Sequence, residues 1–493
     1  MVRTFLRRAS AALLLASLAA AMQGCRQKSE GAPTVVVIGS APKLSDPAAG
    51  PLSAPDAVLV ANVAQGLVRF DANGNVIGGL AERWNVSDDG LSYIFRLASG
   101  EWPDGRKITA QQVARVLKHG ISGRSKNPSK DAFGAVEDIV AMTDRVIEIR
   151  LAAPRPNLLA LLAQPELAVV RSGHGTGPFA IAPEKAGTGE LRLVRDVDSP
   201  DEETSRHDEV LLGGAPPETA VKAFAAGRAA LVLGGSFADL PYARAVRLPR
   251  NSIRFDPVSG LFGLVPASPE GIAAKPEVRR LLSQAIDRGA LIAAFNVPAL
   301  AARATVLEPG LDGLPAPVQP AWFGTALADR RAALGATAAG LFGDEEKPVV
   351  RVLLPDGPGA DLLLARLASD WGALGLQVER AANAGKADFK LVDTVAPSTS
   401  PAWFLRSFRC GVVAVCDADA DELLDAARTA AIPAQRYALL ADAARRMDEA
   451  QLFIPLTAPV RWSLVADRIE GFVGNRYARH TLVDLGERPG SGD

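Results

Sequence analysis

Three arrangements in this 493-residue chain have the residue types and spacing that a reaction or a bound ion would use. Ser40-Ala-Pro-Lys43 fits S-x-x-K, in which a lysine one helical turn on activates a serine nucleophile. Pro42 and Pro47 oppose a helix there, and the companion S-D-N motif is absent. Gly175-Thr-Gly-Pro-Phe-Ala180 fits G-x-G-x-x-A, with Asp196 about 20 residues on, as a dinucleotide fingerprint requires. Those glycines would have to open a helix. Ile181-Ala-Pro-Glu-Lys-Ala-Gly187 cannot continue one, so a turn between strands is expected. Asp417-Ala-Asp-Ala-Asp421 alternates like a calcium loop, but Glu422 stands where Gly is needed and Arg428 where the bidentate Glu is needed. These acids are expected to cap a helix beginning near Asp421. No G-x-S-x-G or H-E-x-x-H occurs, and no nucleophile can be paired with a base. The expectation is therefore a non-enzyme with no catalytic residue, no metal ligand and no cofactor.

The cysteines and the N-terminus indicate a compartment. Arg3, Arg7 and Arg8 precede an uncharged apolar run from Ala11 to Met22, then Gly24-Cys25. This is an export signal, shorter than the roughly 20 apolar residues of a spanning helix. Met22-Gln-Gly-Cys25 resembles the lipobox of bacterial lipoproteins, which implies cleavage after residue 24, acylation of Cys25 and a tether over residues 25–33. The other reading is an ordinary export signal that leaves Cys25 as a free thiol. Losing Arg3, Arg7 and Arg8 and no acid leaves 51 basic against 55 acidic side chains, net −4. In an oxidising compartment Cys410 and Cys416, six positions apart, can close a disulfide. The alternative is a metal pair, but His119, His174, His207 and His480 are scattered in sequence.

The elements that must position any site are those of an ordinary globular chain: 48% hydrophobic, 22% charged, 45 Gly and 35 Pro. That composition excludes a disordered, collagen-like or disulfide-dense protein. The length suggests about three domains. A whole-chain charge of −1 argues against nucleic-acid binding. Short strands are expected at Val35–Ile38, Leu91–Leu97, Val146–Leu151, Leu191–Arg195, Leu231–Gly234, Val349–Leu354, Gln377–Arg380 and Phe389–Asp393. Helices are expected at Asp56–Val68 with Asp56 as N-cap, from a Thr109–Gln112 capping box to His119, and at Leu158–Ala163. Further helices are expected at Glu218–Gly227, Glu277–Ile292, Asp361–Leu374, Asp421–Thr429 and Gln435–Ala450. The mixture reads as α/β or α+β.

Several segments, in order, resemble the extracytoplasmic solute-binding proteins of the dipeptide/oligopeptide group that serve ABC importers. They are Leu44-Ser-Asp-Pro47, Gln65-Gly-Leu-Val-Arg-Phe-Asp71, Gly79-Leu-Ala-Glu-Arg-Trp84, Ser87-Asp-Asp-Gly90, Tyr93-Ile-Phe-Arg-Leu97, Trp102-Pro-Asp-Gly105 and Ile108–Val113. Gly175-Thr-Gly-Pro-Phe179, Val278–Arg288 and Ile454-Pro-Leu456 follow. The resemblance implies two lobes joined by a hinge, with an extra third domain on the first lobe. By that resemblance domain I covers 34–55, 172–253 and 461–493, domain II covers 56–171, and domain III covers 254–460. It implies a small-molecule or short-peptide ligand, an ABC permease with its cytoplasmic ATPase as partner, and a monomer in the periplasm or at the cell surface, held to the membrane only through Cys25. Some members also carry a disulfide where Cys410 and Cys416 fall.

Peptide-binding members place an Asp a few residues before a D-P or E-P dipeptide to pair with the peptide ammonium. Here Ser400-Pro401 aligns with that dipeptide, and Pro397 falls where the Asp should be. Either Asp393 substitutes from a shifted register, or the ligand brings no ammonium there. Ser53, Asp393, Ser398, Ser400 and Trp403 are the expected ligand-binding residues. Three functions follow: the binding component of an importer, a degenerate member in a receptor or envelope-assembly role, and, least supported, an exported enzyme.

Overall fold

The computed structural model describes residues 32–183, 189–197, 206–343 and 348–487. Cys25 and the signal segment lie outside them. A seven-stranded mixed sheet organises the first lobe, in the order Ile253–Phe255, Arg461–Val465, Leu231–Ser236, Thr34–Ile38, Arg206–Ala215, Leu191–Val197, Ala180–Ile181. Thr34–Ile38 runs parallel to both neighbours. Val35 and Val37 are fully buried and Val36 nearly so, which is why this strand reads as a continuous apolar run with no alternation.

The second lobe holds a five-stranded sheet ordered Gln377–Arg380, Val349–Leu353, Phe389–Val395, Gly260–Pro266, Ile454–Thr457. The chain crosses between the two sheets twice, through residues 256–259 and 458–460, and Asp256 N donates to the Arg461 carbonyl at 3.0 Å beside these crossings. Phe237 from the first lobe meets Phe262 and Phe295 from the second, with ring centroids 4.8 and 5.8 Å away. Such pairs add roughly 0.5–1.5 kcal/mol beyond area burial.

A four-stranded antiparallel sheet forms a third unit, the sheet unit: Ala81–Val86, Ser92–Leu97, Val146–Leu151, Val136–Thr143. In Ser92–Leu97 the residues Tyr93, Phe95 and Leu97 are buried while Ile94 and Arg96 face out, the two-residue alternation of a half-covered strand. Helix Ala110–Ile121 covers it, and its entry is the expected capping box, with Thr109 and Gln112 each bonding the other's backbone. Leu117, Trp102 and Phe133 fill the space between.

The structure corrects three local expectations. The first long helix is Ala54–Val63, shorter and earlier than expected, and Ser53 rather than Asp56 caps it. Pro55 suits its first turn, where no amide hydrogen is needed. The stretch Glu277–Ile292 is two helices, Pro276–Ala285 and Arg288–Phe295. Asp287 breaks it by accepting from Ala290 N at 2.9 Å as a new N-cap, while its own N–H donates to Asp370. The acid-rich helix is Ala418–Thr429, beginning three residues before Asp421, and its cap is Asp417, one of the acids expected to cap it. Among the described residues no helix is long and apolar enough to cross a membrane.

Candidate binding cavity

The three motifs that suggested chemistry are absorbed by structure. Lys43 N donates to Asp56 in a segment with no helix. Asp196 pairs with His207 on the surface at 2.7 Å. Asp417 and Asp419 pair with Arg446. Gly175 and Gly177 are needed for another reason: a Cβ on either would overlap the backbone at Val63 and Ala64. This close approach lets Gly177 N and Phe179 N donate to the Val63 and Asn62 carbonyls at 3.0 Å, satisfying acceptors left over at the helix end. Among the described residues no group of three or more His, Cys, Asp or Glu is placed to hold a metal.

Where the two lobes and the sheet unit converge lies a cavity of about 660 Å³. The sheet unit contributes Asp131, Arg155, Asn157 and Gln164, the first lobe Gly235, Arg461 and Trp462, and the second lobe residues 393–398, Trp403, Arg406 and Arg436. Hydrogen bonds join the sheet unit to the second lobe around it. Asn157 Nδ2 donates to Asp312 Oδ2 at 2.7 Å, and Thr399 Oγ1 donates to the same oxygen at 3.0 Å. Gln164 Nε2 donates to the Pro397 carbonyl at 3.2 Å. Arg406 Nη1 donates to the Asp131 carbonyl at 3.0 Å.

Four of the five expected ligand residues line this cavity: Asp393, Ser398, Ser400 and Trp403. Ser53 does not. Its hydroxyl accepts from Asp56 N at 3.2 Å as the helix cap, while its neighbours Leu52 and Ala54 reach the lining. Trp403 is half-buried, edge-on to Phe404 at 5.0 Å between centroids. Ser398 is buried, and Ser400 begins helix Pro401–Arg406. Pro397, where the family's anchoring acid should stand, also lines the cavity.

Asp393 has a partner that sequence reasoning missed. Arg461 Nη1 donates to both carboxylate oxygens, at 2.9 and 3.1 Å, and Arg461 Nη2 donates to the Asp393 carbonyl at 3.2 Å. Asp393 lies on the second-lobe strand Phe389–Val395 and Arg461 on the first-lobe strand Arg461–Val465, so the pair bridges the lobes beside the crossings. Burial pushes the Asp393 carboxyl above its usual range, with Arg461 opposing that rise. The pair is satisfied internally, so Asp393 is not a free counter-charge for an ammonium. No short-range pattern signals Arg461, because 68 residues separate the two.

Cys410 and Cys416 form a disulfide, which excludes the metal-pair alternative. It closes the loop between helix Pro401–Arg406 and helix Ala418–Thr429 beside the cavity, and Cys410 N donates to Asp421 at 3.0 Å.

Comparison with known proteins agrees with this geometry. A solved Haemophilus influenzae oligopeptide-binding protein, in complex with the peptide RPPGFSPFR, superposes with a TM-score of 0.78 at 16% identity, over 93% of this chain and 99% of that one. That likeness shows the two-lobed periplasmic-binding-protein fold. Among curated relatives, a probable deoxycholate-binding periplasmic protein of Escherichia coli is 29% identical over 129 residues, 22% of this chain and 24% of that protein. A dipeptide-binding protein of Lactococcus lactis is 30% identical over 160 residues, 26% of this chain and 29% of that one. The aligned part is thus under a third of either relative's length. Residues 75–408, more than half of the chain, match the bacterial extracellular solute-binding proteins, family 5, a group of binding proteins rather than enzymes. The chain belongs to that family.

Proposed function

We propose that this protein is an exported, lipid-anchored solute receptor that captures a peptide or peptide-like molecule between its lobes and hands it to an ABC-type import permease. The cavity carries the reading. It lies where three units meet, its walls come from both sides of two chain crossings, and cross-unit hydrogen bonds surround it. Enclosure by closure about such crossings needs no catalytic group, only a ligand that stabilises the closed arrangement more than the open one. Acylation of Cys25 would hold the receptor at the membrane, and the two chain crossings would serve as the hinge between the proposed domains. The export signal and the family's printed description both support an extracytoplasmic site.

Asp393 favours one competing reading. Its carboxylate is neutralised by Arg461, and Pro397 replaces the usual anchor, so a member that no longer imports peptides and serves a receptor or assembly role is a specific alternative. Thermal unfolding separates the two. The chain, stripped of bound solute by denaturation and refolding, is heated with di- and tripeptides, deoxycholate, amines and sugars. A ligand at 100 times its Kd adds about 2.7 kcal/mol to the folded state. A saturable rise in Tm for one class is the expected result. No rise for any class would move the assignment to the non-transport role.

A further inference from the structure

The cavity is electrostatically lopsided. Three of its carboxylates have charged or titratable partners, Asp393 with Arg461, Glu166 with Arg479 and Asp256 with His480, and Asp312 is held by Asn157 and Thr399. One end presents Arg155, Arg406, Arg428 and Arg436, near enough that the other three charges act on Arg155. Arg155 and Arg436 converge on one acceptor, each donating to the Pro154 carbonyl at 3.1 Å. Among the described residues none of Arg155, Arg406 and Arg436 belongs to an ion pair, and Arg428 shares the single carboxylate of Asp425 with Arg409. Asp131 is the acid whose charge acts on Arg406.

These arginines are tied at fewer points than arginines that serve only as struts. Arg279 and Arg288 show that role elsewhere in this chain, each holding its N–H groups on oxygens at three or four contacts, outside the cavity lining. Arg155 has one such contact, while Arg406 has two, to the Ala402 and Asp131 carbonyls, and Arg436 has two, to the Pro154 and Ala430 carbonyls; the Nε of Arg436, a residue only 8% exposed, has no partner. Burial and the neighbouring Arg436, Arg406 and Arg428 push Arg155 down to about 10, so like charges face one another across this end. The adjoining wall is apolar, formed by Trp403, Tyr437 and Leu440.

The geometry points to an oxyanion subsite: the solute is held by its carboxylate, gripped by Arg155 and Arg406 with Arg428 and Arg436 behind them, while its apolar part lies on Trp403, Tyr437 and Leu440. Guanidinium forks match a carboxylate bidentately. The ligand class is therefore an organic acid or a peptide recognised at its C-terminus, with no ammonium required beside Asp393. This rests on the solute-capture reading and sharpens it.

Calorimetric titration of the full chain tests it, using mixed-sequence tripeptides in three forms: free, Nα-acetylated with a free carboxylate, and C-terminal amide. A series of aryl carboxylates and their primary amides runs in parallel. The acids are expected to bind whether or not the amine is blocked, and the amides to lose about tenfold or more in affinity, as befits a charge-assisted pair. Arg406→Gln should abolish that discrimination, and Arg155→Gln provides an independent variant should the first fold poorly. Amides binding as well as acids, or discrimination unchanged in the folded variants, would overturn the subsite and leave solute capture standing. Silence from every form, with and without charge, would overturn the subsite, and a rise in Tm with another solute class in the unfolding panel would then leave capture standing.

Discussion

At the residue scale, burial raises several carboxyls of the second lobe, and Asp448 the most clearly. Its carboxylate accepts from Val306 N at 2.8 Å. Burial, with Glu449 nearby, raises it to about 7 against the pull of that single N–H. The folded chain therefore keeps a proton that the unfolded chain has already released, and stability falls as pH rises from about 4 to about 7. Asp448→Asn retains an acceptor for Val306 N and cannot ionise. Its stability advantage over the native chain, measured by urea unfolding from about pH 5 to about pH 8, should grow up to about pH 7 and then level off. A constant difference across that window would show that this carboxyl titrates alike in both states. The Asp393–Arg461 pair obeys a different balance. Both groups are mostly buried, at 17% and 19% side-chain exposure, so losing one would strand the other's charge.

At the scale of elements, two kinds of sequence signal carry different weights. The Thr109 capping box was readable because it is local, and it contributes the satisfaction of two amides. Gly175 and Gly177 read as a breaker cluster, but their purpose depends on a helix end more than a hundred residues earlier in the chain. Thr109→Ala should lower stability by about 1 kcal/mol. Gly175→Ala must move backbone at Val63 or Ala64, and a loss of more than about 2 kcal/mol is expected in the same urea experiment. Equal, small losses would mean that the two segments are not pressed together. The break at Asp287 shows how periodicity misleads: the apolar spacing continues across it, while a side-chain cap and the link to Asp370 redirect the chain.

At the scale of the whole molecule, the joints between units would set how firmly the proposed capture holds a ligand. Asp312 accepts from Asn157 and so joins the sheet unit to the second lobe, and it also accepts from Thr399 of its own lobe. Asp312→Ala removes that joint without touching the arginine end. Captured ligand should then dissociate faster, with Kd rising about tenfold for two lost hydrogen bonds, and the ligand-bound radius of gyration by X-ray scattering should exceed that of the native chain. Unchanged dissociation would place closure elsewhere, with the Phe237–Phe262–Phe295 contact across the lobes as the next element to examine.

Strands such as Thr34–Ile38 and Ser92–Leu97 were legible in the sequence because their burial follows from neighbours one or two residues away. The family was legible because the stretch from Gln65 to Val113 builds one compact unit whose turns and aromatic positions are local. The sequence by itself thus determined the fold and the absence of a nameable catalytic pair, and it pointed to the loop 393–403 as cavity wall. Only the tertiary structure decided the site's chemistry. Asp393 was paired by Arg461 through the meeting of strands from two sheets, and Ser53 was taken by a helix end. Arg155, Arg406 and Arg436 share one end of the cavity only because the sheet unit packs against the second lobe. Charge pairing depends on separation in space, and no spacing along the chain encodes that distance.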